Sequence, residues 1–304
     1  MTKNQVDESF PIRTVSEITG VNAVTLRAWE RRYGLIKPSR TPKGHRIYSR
    51  EDIRLIREIL ERLSLGMSIS QITREVLDLA TVQPGNDYSI WEHYGQRMIA
   101  AIVAFDEQAL DAVYNDAMSL YPVDIVTTQL IMPLLGKLGS RWQDQQGSIA
   151  EEHFFSVYLR NKLGARFHHQ NLKKTGPILV VSCLPGEHHE FGILLFALMA
   201  HSKGYRIVLL GSDLPVAELI HVVNKVACQG IVLAGAASLD CATVCESIET
   251  LTRSIDIPVF VGGDVAHACH ACLSVAGAHP LGSDLARSLQ TISDRLSQLS
   301  ETRE

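Results

Sequence analysis

The residues best suited to chemistry in this chain are a glutamate, a histidine and a glycine spaced as Glu187-x-His189-x-x-Gly192. They follow a continuous apolar run over 178–182 that predicts a buried strand, and they precede a predicted helix. A neutral imidazole is a good metal ligand, and a carboxylate beside it fixes the tautomer and raises the ligand's basicity. The glycine lets a bulky group approach the backbone. The motif therefore predicts a metal site with His189 as the ligand.

The elements that position this motif alternate between strands and helices from residue 174 onward. Continuous apolar runs are typical of parallel strands buried on both faces, and they cover 178–182, 206–210, 230–234 and 259–261, with a short strand near 280–281. We therefore predict a Rossmann-like, doubly wound parallel sheet over 174–304, with its ligand past the carboxyl ends of the strands. The first loop has no Gly-x-Gly-x-x-Gly fingerprint, which argues against a dinucleotide.

Two further loops at the same edge suit a large heterocyclic ligand. Ser238 follows the third strand, and its hydroxyl can bond a buried ring nitrogen. Gly262 and Gly263 follow the fourth strand, where a large group can pass close to the backbone. A histidine alone is more often structural than a ligand, but three loops in order favour a shared ligand site.

These loops resemble the corrinoid-binding pattern of base-off, histidine-on cobalamin proteins, in which a histidine replaces the cofactor's dimethylbenzimidazole below the cobalt. The resemblance implies that His189 binds the cobalt of a cobalamin. It also implies cofactor contacts from Glu187, Gly192, Ser238, Gly262 and Gly263. The serine match is looser, because Ser238-Leu239-Asp240 departs from the family's spacing. Residues 211–215 also resemble the family and are expected to border the corrin ring.

The other end of the chain is locally basic. Eleven Lys/Arg and four acids lie between residues 11 and 57, although the formal net charge of the chain is −4. Charge alone would suit a solvated face as well as a phosphate-binding one. A helix over 14–21 with a capping box begun by Thr14, followed by a basic helix over 23–33 capped by Asn22, predicts a helix-turn-helix.

A β-ribbon wing is predicted over 34–48. A helix capped by Ser49 is predicted over 51–65, and another helix over 68–79. The motifs Thr25-Leu-Arg-Ala-Trp-Glu-Arg-Arg-Tyr-Gly-Leu35 and Arg40-x-x-x-Gly44-x-Arg46-x-Tyr48 resemble the winged head of the MerR family. The resemblance implies a domain over 1–79 that places its second helix in the major groove of double-stranded operator DNA. The expected DNA contacts are Arg27, Arg31, Arg40, Arg46 and Tyr48.

The segment after this head departs from typical MerR regulators, which continue into a long heptad helix that forms a dimer. Here residues 80–87 are a turn-rich linker and no heptad repeat follows, so dimerisation must come from elsewhere in the chain. Residues 88–170 instead predict a four-helix bundle, with helices over 88–104, 106–119, 122–141 and 148–167.

One constellation in the bundle has two interpretations. Trp142 is followed after nine residues by Glu152-His153. Taken alone, these are a core aromatic and a solvated pair at a helix start. The spacing, however, resembles the helical cap of B12-dependent photoreceptors of the CarH and LitR type. That resemblance implies that Trp142, Glu152 and His153 contact the adenosyl group of adenosylcobalamin. The bundle also resembles the cap of corrinoid methyl carriers, which present a different upper face.

A departure from the photoreceptors lies directly after this tryptophan. The better-known members carry a histidine there that captures cobalt after light removes the adenosyl group, whereas this chain has Gln143. A bis-histidine light state is therefore not implied for this chain.

Composition excludes several other classes. No apolar run approaches the roughly 20 residues of a membrane helix, and the first residues contain no signal peptide. All six cysteines lie beyond residue 180, so we expect a reducing cytoplasm and no disulfide framework. His267-x-Cys269-His270-x-Cys272 falls inside a single helix expected after Gly263. It is interpreted as small core residues with exposed histidines, because no second Cys/His pair lies at zinc-finger spacing.

The resemblances imply a light-responsive transcriptional regulator, acting as a dark-state repressor with adenosylcobalamin as chromophore. Cobalamin would organise a homo-oligomer, a dimer or tetramer, that holds operator DNA in the dark. Enzymatic turnover is not expected, because no second substrate site is apparent. Two alternatives stay open: a MerR-type regulator whose B12-like domain no longer binds cobalamin, and a corrinoid carrier in methyl transfer. Cobalamin binding tests the first, and operator binding tests the second.

Overall fold

The computed structural model of the protein describes residues 9–76, 90–143, 147–169 and 176–301, without the side chains of 142–143, 168–169 and 301. The predicted linker over 80–87 lies outside these residues. The chain divides into two compact units, Met1–Tyr158 and Leu159–Glu304. None of the described helices combines the length and apolar character that crossing a bilayer requires.

A small antiparallel sheet and four helices form the start of the first unit. The strand order is β1-β3-β2, with β1 at Phe10–Pro11, β2 at Ser39–Arg40 and β3 at Arg46–Tyr48. The helices are α1 Ile12–Thr19, α2 Ala23–Ala28, α3 Arg50–Ser64 and α4 Ile69–Val76, and a π-helical turn, Trp29–Tyr33, extends α2. The predicted helix-turn-helix and wing are thus confirmed.

The starts of these helices follow from local sequence, with one exception. The predicted caps at Asn22 and Ser49 are confirmed, since each side chain accepts a hydrogen bond from a backbone N–H in the first turn. The capping box predicted at Thr14 is wrong, because α1 begins at Ile12 and Thr14 lies within its first turn. The reason is tertiary: Pro11 pairs with β3, so the chain must turn into the helix immediately after it.

The rest of the first unit contains the four predicted helical stretches, and the last of them continues into the second unit. They are α5 Ile90–Val103, α6 Glu107–Leu120, the path from α7 Val123–Val126 through a π-helical turn Thr127–Ile131 into α8 Met132–Gln143, and α9 Ile149–His169. Pro133 explains the π-helical turn, because a proline lacks the N–H for the normal ladder and its ring clashes with the carbonyl four residues earlier. The Tyr158 hydroxyl on α9 donates to the Asp111 carboxylate on α6 at 3.0 Å.

A five-stranded parallel sheet forms the centre of the second unit, as predicted. Its order is β5-β4-β6-β7-β8, with β4 Ile178–Cys183, β5 Arg206–Gly211, β6 Gly230–Ala234, β7 Val259–Gly262 and β8 His279–Gly282. The helices of this unit after α9 are α10 Phe191–Ser202, α11 Val216–Lys225, α12 Cys241–Ser254, α13 Asp264–Ala268, α14 His270–Val275 and α15 Leu285–Glu301.

Alternate residues of the strands pack into two separate apolar clusters, one on each face of the sheet. Val180 and Leu233 belong to one cluster, while Val181 and Val232 belong to the other. This double burial explains why the strands are apolar throughout. The chain order reverses at β4, whose neighbours are β5 on one side and β6 on the other. The carboxyl ends of β4 and β6 therefore flank a topological switch point, where doubly wound folds bind ligands.

The expectation that the chain forms no disulfides is wrong for the described cysteines. Cys241 pairs with Cys269 and Cys245 pairs with Cys272, while Cys183 and Cys228 are free and buried. Cys241 and Cys245 are four residues apart on α12, so they lie on the same face of this helix, toward α13 and α14. The single helix expected after Gly263 is broken at Cys269.

Phe260 on β7 is 0% exposed and belongs to one of the two core clusters of the second unit. Replacing it with alanine removes its packing and leaves a cavity, so we expect the free energy of unfolding to fall by about 3–5 kcal/mol. Urea unfolding followed by circular dichroism measures this change. Val275→Ala is the matched control, since Val275 is 87% exposed. A loss below about 1 kcal/mol for Phe260→Ala would contradict the packing described here.

Candidate functional site

The loop that follows β4 is fixed from two neighbouring strands. Gly186 turns the chain with a φ of 79°, and its N–H donates to the Asp213 carboxylate at 2.9 Å. The Asp213 N–H in turn donates to the backbone carbonyl of Glu187 at 3.2 Å. Asp213 belongs to the 211–215 loop after β5, so this loop holds the predicted metal motif in place.

The predicted Glu187–His189 pair is formed. One carboxylate oxygen of Glu187, Oε1, lies 2.7 Å from His189 Nδ1 and also accepts the His189 backbone N–H at 2.7 Å. The other oxygen, Oε2, accepts the Ala236 N–H at 2.7 Å. Glu187 is 5% exposed, whereas the His189 side chain is 79% exposed. A buried carboxylate thus hydrogen-bonds to an imidazole that is exposed to solvent.

The ionisation of Glu187 determines the tautomer of His189. Burial alone would raise the pKa of the Glu187 carboxyl, but hydrogen bonds from His189 and the Ala236 N–H outweigh it and hold the pKa below its usual value. An ionised carboxylate only accepts hydrogen bonds, so His189 Nδ1 must carry the proton. The lone pair of His189 Nε2 is then available to a metal, as in carboxylate–histidine–metal triads.

Ala236 belongs to the site through its backbone N–H, which motifs built on side-chain types did not predict. Its loop, 235–240, follows β6 and lies beside the β4 loop because these strands are neighbours in the sheet. Predicting Ala236 would have required knowing that the first and third strands of the sheet pair in parallel. Ser238 lies exposed in the same turn.

The predicted glycines differ in how much space a side chain would have at each position. A Cβ on Gly192 would meet nothing within 4 Å, so open space lies beside the start of α10. A Cβ on Gly263, at φ +81°, would lie 2.5 Å from the Gly235 carbonyl oxygen. The close approach at Gly263 is therefore made by protein backbone. At Gly262 a Cβ would be 3.5 Å from the Gly282 carbonyl oxygen, an ordinary contact.

A second carboxylate, Glu190, lies at the end of the same loop and was not predicted. Its Oε1 accepts the Ser212 hydroxyl at 2.8 Å, and its Oε2 lies 3.4 Å from Arg160 Nε. The buried thiol of Cys183 lies beneath the loop, where burial and the nearby carboxylates raise its pKa to about 12.

The residues expected over the upper face of a cofactor lie at the end of α8 and the start of α9. The side chains of Trp142 and Gln143 lie outside the described residues. Glu152 is half-buried and His153 is exposed in the first turn of α9. The two helix ends are joined by the Gly147 N–H, which donates to the Arg141 carbonyl at 3.1 Å.

The predicted DNA-contact residues fall into three groups. Arg27 and Arg31 are exposed on the second helix. Arg40 and Arg46, on the wing, both bond the Glu30 carboxylate, which ties the wing to that helix. The expectation that Tyr48 contacts DNA does not fit the structure, because its side chain is 1% exposed and packs inside the head. Aromatic rings fill cores more readily than they stand in solvent, which explains this difference.

The helix-turn-helix is also anchored to the bundle within the first unit. Trp29 is 0% exposed, and its indole N–H donates to the Leu120 carbonyl on α6 at 2.8 Å. Arg32 Nη1 lies 3.7 Å from the Asp116 carboxylate, also on α6. The second helix of the head therefore packs directly on α6.

Known protein families match the DNA-binding head and the helical bundle of this chain. Residues 10–78 match the family described as MerR HTH family regulatory protein, and residues 94–166 match the B12 binding domain family. The solved monomethylamine corrinoid protein of Methanosarcina barkeri shares the fold over 66% of this chain and 97% of its own, with a TM-score of 0.53 and 15% identity.

Two curated relatives extend over most of the chain. The HTH-type transcriptional repressor CarH of Myxococcus xanthus is 28% identical over 90% of this chain and 95% of its own length. The HTH-type transcriptional repressor CarA of the same organism is 30% identical over 83% of this chain and 85% of its own length. The chain therefore belongs to the family of MerR-type transcriptional regulators with a B12-binding domain that includes CarA and CarH.

Proposed function

We propose that this regulator uses adenosylcobalamin as a chromophore and represses transcription from operator DNA in the dark. The observation that carries the proposal is the Glu187–His189 pair at the β4/β6 switch point, with Nδ1 held by a buried carboxylate and Nε2 directed away from it. Metal-ligating histidines typically donate one ring N–H to such a carboxylate and bind the metal through the other nitrogen.

The described residues fit a corrinoid on its lower face. His189 Nε2 would be the cobalt ligand, Gly192 leaves open space at the start of α10, and the Ser238 hydroxyl is exposed in the neighbouring loop. Gly262 and Gly263 would line the same edge, with Gly263 packed against the backbone of Gly235. When bound, adenosylcobalamin supplies visible-light absorption and a cobalt–carbon bond that light breaks.

The upper face is assigned to the bundle. We place Trp142, Glu152 and His153 against the adenosyl group, by their resemblance in spacing to B12-dependent photoreceptors. The two acids at the start of α9 are suited to this position because carboxylates favour a helix N-terminus. With Gln143 after the tryptophan, the ligand that replaces the adenosyl group is not a histidine at that position.

The head supplies the DNA contacts. Arg27 and Arg31 would enter the major groove, and Arg40 and Arg46 would lie at the wing, held by Glu30. We assign residues 1–79 to DNA binding, 88–170 to the cap and 174–304 to the corrinoid, in a cytoplasmic homo-oligomer. Linked heads raise operator occupancy through avidity, so light-driven loss of assembly would release DNA.

The decisive experiment follows the protein through illumination. The chain is loaded with adenosylcobalamin in the dark, and absorbance, oligomeric mass by light scattering and affinity for a duplex selected from a random library are measured before and after green light. We expect the spectrum, the mass and the affinity to change together. Oligomeric mass and DNA affinity that ignore illumination in a loaded sample would refute the light response.

The buried carboxylate offers a finer prediction. Glu187→Gln keeps the shape of the side chain but replaces one accepting oxygen with an NH2 donor, so it can no longer accept from both His189 and the Ala236 N–H. We expect adenosylcobalamin to bind about 10- to 100-fold more weakly, as found when outer-shell partners of metal ligands are changed. A dark absorbance titration measures the affinity. Glu218→Gln on the exposed side of α11 is the matched control and should bind as the native chain does.

A further inference from the structure

Two disulfides join the helices that follow two of the candidate cofactor loops. The four-cysteine cluster consists of Cys241, Cys245, Cys269 and Cys272, paired first with third and second with fourth. The Cα separations are 5.4 Å and 6.0 Å, within the usual range of roughly 4.4–6.8 Å. Each bond therefore links α12 to the α13–α14 segment without displacing either backbone.

Three of the four cysteines in the cluster are partly exposed. Cys241, Cys245 and Cys272 are half-buried, and Cys269 is buried at the break between α13 and α14. The free cysteines Cys183 and Cys228 are both buried, and burial raises the pKa of each thiol. They are poor nucleophiles and serve as internal controls.

The cluster lies next to the loop that holds Glu187. Cys241 is the first residue of α12, directly after the 235–240 loop. That loop donates the Ala236 N–H to Glu187, and its Gly235 carbonyl accepts the Val265 N–H of α13 at 3.2 Å. The Cys241–Cys269 bond is therefore a second, covalent tie to the α13–α14 segment, made from the residue that directly follows this loop.

We propose that the four-cysteine cluster is a reversible redox site whose disulfide form steadies the 235–240 loop, and with it the cofactor histidine. The cluster stands on its own, but its effect on cofactor binding rests on the proposed function. The oxidant is a small disulfide such as oxidised glutathione, and the reductant is a dithiol.

The chemistry is thiol–disulfide exchange. One cysteine thiolate attacks a sulfur of the small disulfide, which releases one small thiolate and leaves a mixed disulfide on the protein. The second cysteine thiolate attacks the protein-bound sulfur and releases the other small thiolate. The two protons lost by the cysteines are taken up by the two released thiolates. Each pair gives up two electrons, so full oxidation consumes two small disulfides and yields four small thiols.

The test uses the full-length chain without cobalamin, equilibrated anaerobically with oxidised glutathione or with dithiothreitol. Denaturing alkylation and intact mass are expected to count two thiols after oxidation and six after reduction. The melting temperature should fall by about 10–20 °C on reduction, because two loop-closing bonds are lost. The double variants Cys241→Ser/Cys269→Ser and Cys245→Ser/Cys272→Ser should each retain half of the thiol difference. Cys228→Ser should retain all of it.

Two results would overturn the redox site. One is six alkylatable thiols under both conditions. The other is a reduced chain that carries one zinc ion by elemental analysis, with the four cysteines protected from alkylation in the native state, because this would make the cluster a metal site.

The coupling to the cofactor is measured separately by titrating both redox forms with adenosylcobalamin in the dark. We expect the reduced form to bind about fivefold more weakly. Equal affinities would refute the coupling and leave the disulfides in place. Absence of binding to either form would instead refute the proposed function, while the thiol counts and melting temperatures would still stand.

Discussion

Replacing His189 with alanine is expected to weaken adenosylcobalamin binding by at least about 100-fold, since changes even to the partners of a metal ligand cost 10- to 100-fold. The reason is geometric. The buried Glu187 carboxylate uses one oxygen to hydrogen-bond and orient the His189 ring. Without the imidazole, no side chain oriented by this carboxylate would be available as a cobalt ligand. Dark absorbance titration measures both the affinity and the spectral change of histidine ligation.

The chain supplies its own control for this variant. His188 is also exposed and lies directly before His189. His188→Ala should therefore bind cobalamin as the native chain does. If His189→Ala binds normally with an unchanged spectrum, the ligand assignment is refuted. If both variants lose binding, the loop as a whole is responsible and not the single imidazole.

Removing both exposed arginines of the second helix is expected to produce the next largest effect. Arg27→Ala/Arg31→Ala should bind the selected duplex about 100-fold more weakly near physiological salt, because each base-reading arginine contributes roughly 1–3 kcal/mol. Contacts to phosphate have a distinct signature. For each lost phosphate contact the slope of log affinity against log salt should become shallower by about 0.9.

The salt series separates two roles of the arginines. A fall in affinity with an unchanged slope would assign them to base edges, and a shallower slope would assign them to phosphate. Arg253→Ala/Arg287→Ala removes the same charge from exposed positions of the second unit and is the matched control. Equal losses in both double variants would mean that net charge, and not the helix-turn-helix, carries DNA binding.

Most of the architecture could be predicted because the local patterns agree with the tertiary fold. The apolar runs over 178–182 and 230–234 appear as strands β4 and β6 within one residue of their expected ends. The cap at Ser49 likewise starts α3 as expected. Such elements are determined by burial on both faces and by local hydrogen bonds, both of which are visible in sequence.

The failures occurred where distant residues decide the outcome. The helix expected to start near Thr14 begins at Ile12 because Pro11 is drawn into pairing with β3. Tyr48 belongs to a DNA-contact motif by type, but the packing of the head buries it. The cysteines were expected to stay unpaired, and only the approach of α12 to α13–α14 joins them.

The candidate site shows the same division. The sequence by itself determined that Glu187 and His189 lie in one loop after a buried strand, because two residues of separation suffice to bring a carboxylate to an imidazole. Only the tertiary structure decided that β6 lies beside β4, and so that the Ala236 N–H reaches Glu187 and helps to keep it ionised. Strand order is a long-range property of packing that no local pattern encodes, and it turns a motif into an oriented ligand.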